Sequence, residues 1–257
     1  MIAEAKQVVK EFWEESPCGT IGVREEEGTL PYFEKIEEER YALEPFIHQC
    51  AQFTRWRGKR VLEVGCGAGT DFLQFARAGA EPYGVDLTIH SVKLAWQRLR
   101  LYSLNGILQQ GDSEHLPFHS DSFDLVYSWG VIHHTPNTEQ AIEEIYRVTK
   151  PGGQICIMIY HRFSWVVLEL YLRFGLLCGR PFQSLSRIVS EHMESTGTKA
   201  YTRKQARRMF TMFSDYRCEC FVTPYDRKRF PKWLFTLFPS WTGWFMVIRA
   251  TKPHFLC

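Results

Sequence analysis

Apolar residues recur along this chain with two different periods, and the change of period divides it. Over residues 2–15, Val8, Val9, Phe12 and Trp13 fall on one stripe of a helix. Ser16-Pro17-Cys18-Gly19 ends it. Pro31, suited to a first helical turn, opens a second helix that carries Phe33, Ile36, Tyr41 and Leu43 toward one side. From Arg60 onward the pattern becomes short apolar runs at 61–64, 83–85, 107–109, 123–127 and 155–160, separated by helical stretches near 70–78, 90–103 and 138–149. Strand alternating with helix predicts a parallel sheet covered on both faces. After Tyr160 the rhythm alters. Residues 163–178 read as an apolar, aromatic helix and about 202–213 as a basic one, and β-rich runs at 216–222 and 244–250 close the chain. No repeat, low-complexity tract or interdomain linker interrupts it. The 257 residues therefore read as one domain, with an N-terminal helical cap over 1–57, a ligand-binding core over 58–160, and an insertion plus terminal hairpin over 161–257.

The first apolar run leads into Gly65-Cys66-Gly67-Ala68-Gly69-Thr70-Asp71, a glycine loop opening a helix. Glycines there let the backbone turn tightly and admit a ligand without Cβ atoms in the way. A dinucleotide loop would need Gly-x-Gly-x-x-Gly, but Thr70 stands at the third such position. A pyrophosphate also wants a bare, positive helix N-terminus. Here Asp71 sits at that terminus and Glu63 near the end of the strand, carboxylates that suit a ligand carrying an ammonium and a sulfonium. Asp86, nineteen residues after Gly67, ends the second strand where an acid holds a ribose diol. Asp112 and Ser113 follow the third strand, where a carboxylate can accept from an adenine amino group.

With VLEVGCGAGTD, YGVDLT, GDSEHLPF, FDLVYSWGVIHHT and RVTKPGG in this order, the chain resembles the class I, Rossmann-like methyltransferases that use S-adenosylmethionine (AdoMet), and more closely their type 11 group. The resemblance covers roughly 58–160. It implies a seven-stranded, mostly parallel sheet with helices on both faces, the last strand antiparallel, and a helical insertion after strand five. It places Glu63 and the backbone of Gly65, Cys66 and Gly67 at the methionine end of AdoMet, Asp86 at the ribose, Leu87 on the adenine face, Asp112 and Ser113 at the adenine edge, and Trp129 facing the methionine moiety.

Methyl transfer from a sulfonium is an in-line displacement, so the protein must align acceptor, methyl and sulfur and keep water out. A base is needed only where the acceptor has a proton to lose. His134, then His133, are the candidates, because they lie just past the fourth strand on the edge where such sheets bind ligands. Tyr160, with His161 and Arg162, leaves the fifth strand on the same edge. Tyr41 belongs to a helical lid over 31–47.

Composition changes this picture little. Residues 1–48 carry twelve acids against five bases, a net of −7, and residues 199–232 carry ten bases against three acids, a net of +7. The basic segment raises one alternative, an RNA-modifying methyltransferase; a non-catalytic AdoMet-binding subunit is a second alternative, independent of charge. No Asn-Pro-Pro-Tyr-type motif or RNA-binding module supports a nucleic-acid partner. The Trp, Phe and Leu of 163–178 and 232–247 suit an apolar or aromatic small-molecule acceptor or a peripheral membrane contact. Eight scattered cysteines form no CxxC framework and imply no metal site; with no signal peptide or spanning segment, the chain reads as reduced and cytoplasmic. The acceptor, the oligomeric state and the pathway are left open.

Overall fold

The computed structural model describes residues 2–227 and 239–254. Its centre is a seven-stranded sheet in the order β3-β2-β1-β4-β5-β7-β6. The strands are β1 (Arg60–Val64), β2 (Glu81–Asp86), β3 (Ile107–Gln110), β4 (Phe123–Trp129), β5 (Thr149–Tyr160), β6 (Ser214–Phe221) and β7 (Phe245–Thr251). All pairings among β1 to β5 are parallel, and β7 runs antiparallel to both of its neighbours. The reversal at β1, from which the chain steps outward first to one side and then to the other, creates the crevice that ligands use in open α/β sheets.

Side-chain alternation sorts the sheet into two cores. In β5, Ile155, Ile157 and Ile159 join Leu62, Val126, Ile248 and the helix residues Ile142 and Phe210 on one face. Cys156, Met158 and Tyr160 join Val61, Leu125, Tyr127 and Val247 on the other. Both faces are apolar because both are covered, which is why these strands read as continuous apolar runs.

The covering helices are α1 (Ile2–Glu15), α2 (Leu30–Leu43), α3 (Ile47–Ala51), α4 (Thr70–Arg77), α5 (Ile89–Leu101), α6 (Thr138–Val148), α7 (Trp165–Leu170), α8 (Leu185–His192), α9 (Arg203–Met209) and α10 (Pro224–Arg227). Their starts are chemically marked. Thr88, Asn137, Ser164 and Ser184 each accept a backbone N–H from the first turn of the helix they cap. Thr202 and Gln205 form a reciprocal capping box on α9. The expected helix over 163–178 is found as α7 followed by a π-helical turn, Tyr171–Leu176. The helix expected to run through residue 47 stops at Leu43 and restarts at Ile47, with Pro45 in the gap. Of the aromatic run 232–247 and the basic run 199–232, residues 232–238 and 228–232 lie outside the described residues. In the rest of the basic run, Lys199 is turned inward, donating to the carbonyls of Thr135 and Pro136, whereas Arg203, Lys204, Arg207 and Arg208 of α9 are exposed.

Candidate cofactor and acceptor site

The turn from β1 to α4 opens a cavity of about 350 Å³ at the carboxyl edge of the parallel strands. Gly65 adopts φ +79°, and a Cβ there would stand 2.2 Å from Val131 Cγ2. Gly69 caps α4 at φ +74°, with Ala95 Cβ 2.9 Å from where its own Cβ would lie. Only glycine meets both demands, so the loop stays close to β2, where Gly65 N–H and Cys66 N–H both donate to Val85 O. Glu63, Gly65, Cys66, Gly67, Asp86, Leu87, Asp112, Ser113 and Trp129, the nine positions the resemblance assigns to AdoMet, all line this cavity.

Their electrostatics depend on residues that sequence reading passed over. Asp71 is fully buried and receives Arg40 through two N–H groups at 3.0 and 2.5 Å, with the hydroxyls of Tyr41 at 2.9 Å and Tyr127 at 2.7 Å. Against the upward push of burial, Arg40 and these donors hold its carboxyl below the usual range. Asp71 is thus an internally satisfied anion, not a free negative charge facing a ligand. Glu63 is the reverse. It is buried, and its Oε2 has no hydrogen-bond partner. Burial first, and Asp71 second, push its carboxyl well above the usual range. Asp86 braces the loop, taking Gly67 N–H on Oδ2 at 2.9 Å and the Thr88 N–H and hydroxyl on Oδ1 at 3.0 and 2.9 Å.

The first helix forms one wall. Lys6, Val9, Phe12 and Trp13 face the cavity, and Glu14 pins α1 to the start of α5 by accepting the N–H groups of Ile89 and His90. Lys6 donates to Asp112 at 2.5 Å and Glu114 at 2.7 Å. An adenine amino group at Asp112 would therefore share that carboxylate with Lys6. Nothing in the local pattern marks Lys6 or Arg40: each looks like one more charge on a mixed helix face.

Of the four acceptor-side candidates, His134 alone lines the cavity. Tyr41 lies behind it, its hydroxyl spent on Asp71. His133 is fully buried against the Tyr160 ring, 3.9 Å between centroids. Tyr160 reaches the cavity only through Glu194, whose Oε2 accepts its hydroxyl at 2.9 Å. His161 and Arg162 are tied to the carbonyls of Gly243 and Ala200. Burial lowers His134 to about 3, so it stays neutral at ordinary pH. Thr198 spends its hydroxyl hydrogen on Ser195 O, so its oxygen accepts from His134 Nδ1–H at 2.9 Å. That leaves His134 Nε2 as a bare acceptor 3.4 Å from Glu194 Oε2. Glu194 has a side chain 44% exposed, but onto the cavity, and burial among the surrounding groups raises its carboxyl. Glu44, buried beside it, is raised by burial and accepts Trp129 Nε1–H at 2.7 Å. Only the fold reveals Glu44 and Glu194, which lie 150 residues apart.

A glycine-loop cavity at the carboxyl edge of this sheet defines a Rossmann-like, nucleoside-binding α/β protein. A family model described as a methyltransferase domain matches residues 62–157. Demethylmenaquinone methyltransferase of Streptomyces avermitilis is 30% identical over 168 residues, 61% of this chain and 70% of that enzyme. Phthiotriol/phenolphthiotriol dimycocerosates methyltransferase of Mycobacterium leprae is 36% identical over 110 residues, 42% of this chain and 40% of that protein, so the match spans about two fifths of such a relative's length. A solved AdoMet-dependent methyltransferase of Methanosarcina mazei shares the fold, with a TM-score of 0.56 at 24% identity over 82% of this chain and 98% of that one. The chain belongs to the AdoMet-dependent methyltransferases of the type 11 group.

The cavity fits AdoMet on its own chemistry. A buried carboxylate oxygen without a partner, Glu63 Oε2, suits an ammonium, and the bare loop backbone leaves room beside it. An ammonium favours the ionised carboxylate, so binding should release the proton that burial keeps on Glu63. AdoMet affinity should rise with pH above the usual carboxyl range, as the raised Glu63 carboxyl loses its proton, and Glu63→Gln should bind more weakly with a flat profile. Calorimetric titrations at several pH values check this; a flat wild-type profile matched by the variant would place the ammonium elsewhere.

Proposed function

We propose that this enzyme transfers the methyl group of AdoMet to an O, N or C atom of a lipophilic small molecule. The observation that carries this reading is a single cavity with cofactor-matched residues at one end and an aromatic, acid-bearing lining at the other. Phe12, Trp13, Trp129 and Tyr225 supply apolar contact there, while Glu44, Glu194 and His134 supply a few polar groups, the usual make-up of a small-molecule site. The named relatives, which act on a menaquinone precursor and on phthiotriol lipids, support a lipophilic acceptor.

Bound AdoMet supplies an electrophilic methyl on a sulfonium, whose departure needs no acid. The chain's own residues supply alignment and water exclusion: α1 walls the cavity, and Trp129 is held in orientation by Glu44. Where the acceptor has a proton to lose, Glu194 is its acceptor, because a carboxyl raised by burial is a stronger base than an imidazole lowered to about 3. Tyr160, donating its hydroxyl to Glu194 Oε2, orients that carboxylate.

The test incubates the protein with methyl-labelled AdoMet and an extract of its source cells, then separates organic from aqueous products. Label should enter the organic phase; label confined to the aqueous phase would sink the lipophilic reading. Glu194→Gln should keep AdoMet affinity and lower transfer by about 100-fold, while His134→Gln lowers it less. Full transfer by Glu194→Gln would remove Glu194 from proton transfer.

A further inference from the structure

The insertion after β5 presents an apolar surface that nothing else in the described chain covers. Leu168, Leu172 and Leu176 lie four residues apart along α7 and its π-helical extension, all exposed. Leu177 and Phe182 follow, 84% and 99% exposed, and Trp241 stands 56% exposed. Exposed apolar side chains concentrated in one insertion in this way mark a contact with something apolar. Beside it lies a second cavity of about 660 Å³, walled by Phe163, Trp165, Leu168, Tyr171, Leu185 and Trp241.

Charge says which contact. Residues 162–187 hold four arginines and one acid, Glu169. Arg173 and Arg180 are exposed among the leucines, and neither forms an ion pair with another described residue; Arg187 is paired with Glu191. A second copy docked face to face would set these arginines against each other. An anionic bilayer satisfies both features, because apolar side chains enter the acyl boundary while arginines stay at the phosphates. No helix among the described residues is long and apolar enough to span a membrane, so the contact is a surface one.

We propose that this surface docks the protein on an anionic phospholipid bilayer. The placement has a functional consequence. Helix α8 runs between the two cavities: Leu185 at its start walls the apolar one, and Glu194, two residues past its end, lines the cofactor cavity. Its eight residues span about 12 Å. Docking on this face would bring the acceptor end of the cofactor cavity near a membrane, where a lipophilic substrate is concentrated. The docking itself does not require the acceptor reading.

Vesicle flotation tests it without any substrate. The full chain should float with phosphatidylglycerol vesicles, weakly with phosphatidylcholine ones, and less as salt rises. A Leu177→Asp/Phe182→Asp pair and an Arg173→Glu/Arg180→Glu pair should each weaken binding on the order of 10-fold or more. Both pairs should keep wild-type AdoMet affinity, since all four side chains point outward. Absent flotation, or flotation unchanged in both pairs, overturns the proposal. So does a wild-type dimer that the Asp pair converts to a monomer with vesicle binding intact. If the Asp pair unfolds, the arginine pair decides alone. Absent organic-phase methylation together with normal flotation would fault the acceptor reading and leave the docking standing.

Discussion

Arg40→Met should destabilise the fold by about 3–5 kcal/mol, the usual cost of stranding one member of a buried ion pair. Asp71 would keep the hydroxyls of Tyr41 and Tyr127 but lose both Arg40 N–H donors and, among the described residues, the only cation bonded to it. For a chain of this size each kcal/mol moves the midpoint roughly 2–4 °C, so a fall on the order of 10 °C is expected in calorimetry without AdoMet. Adding Asp71→Asn to Arg40→Met should restore much of it, because an amide leaves no buried charge. Acid behaviour carries the same signature. Arg40 holds Asp71 below its unfolded value, so the pair's stabilisation is full above about pH 4 and is lost as pH falls through the depressed folded value. The variant should lose that acid dependence. Additive single and double substitutions would show that the two side chains are not coupled.

Asp86→Ala should weaken AdoMet binding by roughly 10- to 150-fold, the equivalent of about 1.5–3 kcal/mol for hydrogen bonds to a charged group. Asp86 has two tasks. It accepts Gly67 N–H and the two Thr88 donors, which hold the glycine loop against β2, and its carboxylate faces the cavity. A ribose diol would use the remaining acceptor capacity. Ligands separate this from the Glu63 effect. 5′-Methylthioadenosine has the ribose but no amino-acid end, so Asp86→Ala should weaken it and AdoMet alike, whereas Glu63→Gln should weaken AdoMet alone. A folded Asp86→Ala protein with an unchanged dissociation constant would rule Asp86 out as the ribose ligand.

The cofactor end was legible because its determinants are local. Gly65 and Gly69 are written in the sequence as backbone demands, Asp86 as a strand-end acid at fixed distance, and the period of the apolar runs as a parallel sheet. The acceptor end was not, because its side chains come from far apart. Glu44, at the end of α2, and Glu194, after α8, reach one cavity only through the packing of the flanks on the sheet. Histidine titration misled for the same reason: an imidazole near neutrality in water is driven down to about 3 once β4 and the Ser195–Thr198 turn enclose it. Tyr41 and Asp71 show the same limit. Sequence reading made one a lid over the acceptor and the other a charge facing the ligand, whereas α2 packing on α4 turns the Tyr41 hydroxyl onto Asp71 and engages the Asp71 charge in an ion pair with Arg40. By itself, then, the sequence determined the sheet, the loop and the class of cofactor, since short-range sterics and alternation decide those. Tertiary structure alone decided which carboxylates are paired and which are buried without a partner, which side chains line the cavity and which apolar surface remains uncovered among the described residues, because desolvation and pairing depend on what the fold brings within a few ångströms.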